Sequence, residues 1–129
     1  MTINWVLNKA WMEWCRKGKY GVGKKHDAAK KSLSNNEVRG YYSDIVLNPD
    51  LDDKNSMYPS IDHLYPSDES ELVVEARIFN DMKTHLTPDE FWQAIEHLYA
   101  VGVRKGKIAK RTPKELGSDW APENDYVKR

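Results

Sequence analysis

Apolar residues fall at Ile3, Leu7, Trp11 and Trp14, a spacing that predicts an amphipathic helix over 3–16 with Thr2 as N-cap and its tryptophans in the core. Gly18, Gly21 and Gly23 then mark a loop, and Lys24 to Ser32 predict a second, basic and weakly apolar helix. "YYSDIVLNPDLDDKNSMYPS" reads as a short apolar stretch followed by a polar loop. Further along, "ELVVEARIF" (71–79) is rich in β-branched residues and is expected to pair with "SIDHLY" (60–65) as a hairpin. "NDMKTHL" is a short helical candidate. "TPDEFWQAIEHLYAVG" has every helix signal: Thr87 as N-cap, Pro88 at the first position, Glu90 to complete a capping box and Gly102 to end it. Phe91, Ile95, Leu98 and Tyr99 are expected to form its buried stripe.

This alternation of strand-like and helix-like patterns predicts a small α+β single domain over 1–103. Its parts are N-terminal helices in 1–55, a hairpin-plus-helix core in 56–103 and a basic, partly ordered tail in 104–129. A length of 129 residues suits one core, while a hydrophobic fraction of 40% and a mean hydropathy of −0.79 leave room for exposed segments. Neither an apolar run of about 20 residues nor a leader pattern is present, and Cys15 is the only cysteine. A soluble, cytoplasmic protein with no membrane contact is expected.

The net charge is zero but unevenly placed. Residues 1–39 carry nine Lys/Arg against three acids, 40–99 three against thirteen, and 100–129 eight against four. One reading is internal charge complementarity. The other is basic arms that hold a polyanion over an acidic site containing a metal. Two local motifs carry no ligand. The glycines at 18–23 lack the G-K-[ST] of a phosphate loop, and "DLDDKN" lacks the turn glycine and closing Glu of a calcium loop.

The chemistry concentrates in 59–91. A hairpin followed by a helix would bring Asp62 and His63 on the first strand near Asn80 at the helix start. Neighbouring strand residues point to opposite faces, so one pocket can hold both Asp62 and His63 only if a bulge or strand end re-aims one. A carboxylate and an amide oxygen are hard ligands suited to Mg²⁺, and a neutral His beside them can take a proton from water near pH 7. Phosphodiester hydrolysis follows as the expected chemistry.

In these residues the chain resembles the HNH nucleases, with their ββα-metal motif, over about 56–100. The family has an Asp-His pair on its first strand, a second-strand block such as "NLVVACRRCN" and a helix bearing N-x-x-K. The matching segments here are "IDH", "ELVVEARIFN" and "NDMK", followed by "LTPDEF". The resemblance implies DNA as substrate, His63 as general base, Asp62 and Asn80 as ligands of Mg²⁺ or another divalent cation, and Lys83 on a substrate phosphate. The family's middle Asn, which orients the base, falls at Glu71. The second-strand Cys pair of its zinc-bearing members falls at Ala76 and Phe79, so no structural zinc is expected.

Each residue also has a plainer role: surface pair for Asp62-His63, helix cap for Asn80, solvated lysine for Lys83. His85, five residues past Asn80, would lie about 140° around an ideal helix and is set aside as a ligand, with a phosphate contact left open. His26 and His97 are read as surface histidines. Two other functions stay in play: a non-catalytic module binding nucleic acid or a protein partner on the same fold, and a mostly helical interaction domain with 58–66 as a loop. Strand over Leu72–Phe79 separates the last from the others.

Overall fold

The computed structural model describes residues 7–66, 68–117 and 119–123, so the expected cap at Thr2 and the apolar Ile3 lie outside the described residues. Helix α1 (Lys9–Arg16) is capped instead by Asn8, whose side-chain oxygen accepts from the Trp11 N–H at 3.0 Å. Trp11 and Trp14 enter the core as expected, with ring centroids 5.1 Å apart edge to face. The Trp14 indole N–H donates to the Pro59 carbonyl at 3.0 Å and so pins α1 to the start of the long hairpin.

Helix α2 (Val22–Lys31) begins earlier than expected, with Gly21 as N-cap and Gly23 inside it. Its Lys25 is buried and donates to the carbonyls of Trp14 at 2.6 Å and Lys17 at 2.8 Å, satisfying the C-terminal end of α1. The same ammonium stands 4.0 Å from the Trp14 ring. Burial lowers its pKa from the ordinary lysine value, opposed by the Cys15 thiol.

A short hairpin, β1 (Leu33–Ser34) and β2 (Glu37–Val38), turns through Asn35 and Asn36. Both have positive φ (52° and 64°), the left-handed pair that a type I′ turn requires and Asn tolerates. The long hairpin pairs β3 (Pro59–Tyr65) with β4 (Asp68–Ala76) antiparallel, Asp62 opposite Val73 and His63 opposite Leu72. Residues 72–76 of β4 are buried at every position, so both of its faces are covered. Val74 and Ala76 join Trp11, Trp14, Ala29 and Val38 in the core. These strands exclude the mostly helical reading and establish a small α+β domain.

Helix α3 (Arg77–Lys83) takes over three residues sooner than the expected strand end at Phe79. The cause is local: the N–H groups of Arg77 and Ile78, otherwise unpaired in a first helical turn, donate to the carbonyls of Tyr58 at 3.0 Å and Ser56 at 2.8 Å. Helix α4 (Pro88–Arg104) carries the full capping box at Thr87 and Glu90. It passes through Gly102 and stops at Gly106 (φ 70°) in a Schellman motif, with Lys107 N–H on the Gly102 carbonyl and Gly106 N–H on that of Val103. A Cβ on Gly102 would overlap Ile108, so that glycine serves the fold-back after the helix rather than its end.

The expected buried stripe of α4 is corrected. Only Phe91 is buried; Ile95 is half-buried, and Leu98 and Tyr99 are 61% and 40% exposed. The first turn alone reaches the core. A final short helix, α5 (Pro113–Leu116), follows, and Trp120 reaches back to Phe79 with ring centroids 5.9 Å apart. No helix among the described residues is long and apolar enough to cross a membrane.

Candidate metal and hydrolysis site

Asp62 and His63 lie on β3, paired with Val73 and Leu72 just ahead of a register shift between His63 and Tyr65. Both residues line one cleft, although ideal alternation would turn adjacent strand side chains to opposite faces. The cleft is about 370 Å³ and is lined by Asp62, His63, Asn80, Thr84 and His85, with Ile61 and Pro66. Three of the expected site residues (Asp62, His63 and Asn80) therefore converge.

Asn80 is the fourth residue of α3 rather than its first. Its Nδ2 donates to the Ile61 carbonyl and to Ser60 Oγ, both at 2.9 Å. The carbonyl can only accept, which fixes the amide's orientation and leaves Oδ1 as its acceptor atom. Asp62 is buried, and its Oδ2 meets two donors: the Tyr42 hydroxyl donates to it at 2.7 Å, and the Lys83 ammonium lies 3.2 Å away. Lys83 is itself 0% exposed and donates to the His63 carbonyl at 3.0 Å. The lysine expected on a substrate phosphate is thus spent on the first strand, where it offsets the Asp62 charge.

Glu71 lies outside the cleft. Its carboxylate lies 3.6 Å from Lys31, and its strand neighbour Leu72 is the residue that pairs with His63. The Tyr20 ring stands beside His63, at 6.0 Å between centroids. Tyr20 belongs to the loop between α1 and α2, beside the exposed Lys17 and Lys19.

His85 does line the cleft. Ideal helical spacing does not extend to it, because α3 ends at Lys83 and Thr84 takes φ 48°, ψ −118°. The chain turns there and carries His85 back towards Asn80. No periodicity could have shown this, since it depends on where the helix stops.

Two further residues had no signal in the sequence. Glu75 on β4 is fully buried. Its Oε1 accepts from the N–H groups of Tyr42 at 2.7 Å and Ser43 at 2.8 Å, and its Oε2 accepts from Ser43 Oγ and Ala76 N–H, both at 2.8 Å. Burial raises the Glu75 carboxyl above the usual carboxylate range, and these donors pull against that rise. Glu75 thereby fixes the 40–43 turn, from which Tyr42 reaches Asp62. The Tyr42 phenol is pushed far above its ordinary pKa by burial first and by Asp62 second, so it stays protonated and donates.

The donor set fits a hard divalent cation that keeps most of its waters: one carboxylate and one amide oxygen at the cleft, with two imidazoles nearby. No cluster of three His, Cys, Asp or Glu side chains forms among the described residues, so the set does not fit a cation needing an all-protein cage. Ala76 and Phe79, at the positions of the family's cysteine pair, belong to the core and its packed margin. Comparison with protein-family models, curated proteins and solved structures finds no match to this chain.

Proposed function

We propose that this chain is an HNH-like endonuclease that hydrolyses DNA phosphodiester bonds with Mg²⁺ or a similar divalent ion. The observation that carries the reading is the convergence of Asp62, His63 and Asn80 in one cleft of a hairpin-plus-helix unit. Asp62 and Asn80 would hold the ion, with Asn80 steadied by Ser60 and Ile61 and Asp62 by Tyr42 and Lys83. When bound, the ion supplies positive charge for the oxygen that leaves phosphorus. His63, as a neutral imidazole, takes the proton of the attacking water while the water oxygen bonds to phosphorus. The loop with Lys17, Lys19 and Tyr20 borders His63 and gives the backbone of a nucleic acid cationic contacts there. A cytoplasmic setting belongs to the same proposal.

One observation favours a second reading, a module that binds nucleic acid or a protein partner without cutting. Lys83 already offsets the charge of Asp62, which weakens its pull on a cation. Plasmid nicking with Mg²⁺ or Mn²⁺ decides between the two. The wild type is expected to nick, and His63→Ala to nick at least about 100-fold more slowly, the lower range for removing a general base. Equal nicking by both proteins would end the catalytic assignment of His63. DNA binding without nicking by either would favour the second reading.

A further inference from the structure

We infer that Tyr42 is the positioning residue that sets the metal affinity of Asp62, and that Glu75 and Gly40 exist to place it; this rests on the metal-site reading above. Three observations converge on it. First, the Tyr42 hydroxyl donates to Asp62 Oδ2 at 2.7 Å, the oxygen that also faces Lys83 at 3.2 Å. Both donors crowd one oxygen and leave the other for a cation. A carboxylate held in this way is a one-oxygen ligand of fixed direction, as outer hydrogen bonds do for metal ligands generally.

Second, the turn carrying Tyr42 is held more firmly than a surface loop. The Tyr42 and Ser43 N–H groups both end on the buried Glu75, and the Tyr41 N–H donates to the Val74 carbonyl at 3.0 Å. Gly40 permits that approach, because a Cβ there would overlap Glu75 Oε2. Third, the Tyr42 ring is packed edge-on against Phe91 of α4 with centroids 5.2 Å apart, which limits its sideways movement. Sequence positions 40–43 lie outside the hairpin-plus-helix unit, yet they complete the environment of its carboxylate.

Without the hydroxyl, Asp62 keeps Lys83 as its partner and is free to turn both oxygens towards that ammonium. Cation affinity then falls, while the turn and its packing persist. The test is Tyr42→Phe, which keeps the ring and removes one oxygen, compared with Tyr41→Phe as control. Tyr41 meets Tyr42 edge to face at 5.1 Å, but its side chain is half-exposed and the hydroxyl on Asp62 is that of Tyr42. Mn²⁺ binding is read directly by electron paramagnetic resonance, independently of DNA cleavage, and folding by circular dichroism.

Tyr42→Phe is expected to fold like wild type and bind Mn²⁺ about 10- to 100-fold more weakly, the usual range for removing an orienting partner. Nicking by this variant should recover towards the wild-type rate as Mn²⁺ is raised, a change in metal requirement that a general structural role would not give. Wild-type affinity in Tyr42→Phe, or an equal weakening in Tyr41→Phe, overturns the role of Tyr42 and leaves the metal site standing. Absence of Mn²⁺ binding by the wild type overturns both.

Discussion

At Gly40 the space for one methyl group decides whether a buried carboxylate can be approached. A Cβ there would meet Glu75 Oε2 and Ser43 Oγ, and Glu75 cannot retreat because its oxygens also hold Tyr42, Ser43 and Ala76. Gly40→Ala is therefore expected to destabilise the fold by about 1–3 kcal/mol, the range for overpacking, with the midpoint of urea unfolding as the measurement. An unchanged midpoint would show that the turn shifts without cost. Chemical identity singled out Asp62, His63 and Asn80 in the sequence as candidates, and the fold brings the three to one cleft. Glu75 and Tyr42 were not legible. Each matters through a partner at least twenty positions away, and nothing local distinguishes either from an ordinary strand acid or loop tyrosine. Lys83 could be singled out from the sequence as a candidate, but its direction, inward onto Asp62, could not.

Among the elements, α4 shows how a strong local signal can coexist with weak packing. Thr87 accepts from the Glu90 N–H at 3.2 Å, and Glu90 accepts from the Thr87 N–H at 3.0 Å, yet of the whole helix only Phe91 is buried. Thr87→Ala is expected to cost α4 about 1 kcal/mol, read as weaker amide-exchange protection over 88–104 rather than a matching global destabilisation. Glu90 adds a pH dependence. The Thr87 N–H bond holds its carboxyl below the ordinary value of 4.5, so the folded chain takes up this proton less readily than the unfolded one. Its support is complete above that ordinary value and fades as pH falls through the lowered one. NMR shifts of the first turn of α4 should drift towards coil with acid in the wild type and stay flat in Glu90→Gln. Start signals for α4 and the two strands of the long hairpin could be read because they are local. The ends of β4 and α4 could not, because they are set by Tyr58, Ser56 and Ile108 from other parts of the chain.

For the whole molecule, the uneven charge acquires a location. The acidic middle supplies Asp62 and Glu75 to the interior, while Lys17 and Lys19 stay exposed on the loop whose Tyr20 borders His63. Joint Lys17→Gln and Lys19→Gln substitution is expected to weaken DNA binding uniformly across sequences. The log–log salt slope should fall by about 1 for each phosphate that a lysine no longer neutralises, as measured by fluorescence anisotropy between low and physiological salt. An unchanged slope would place the nucleic acid elsewhere.

The tie from Tyr42 to Asp62 also bears on where the smallest transferable unit can be cut. A segment spanning only the long hairpin and α3 would carry Asp62, His63, Asn80 and Lys83 together and look self-sufficient. It would leave behind the strap at 40–43 and the Trp14 hydrogen bond that anchors the first residue of β3. Candidate ligands and strap are separable in sequence but not in space, so the proposed site offers no portable cassette, and the N-terminal half is as much a part of it as the hairpin.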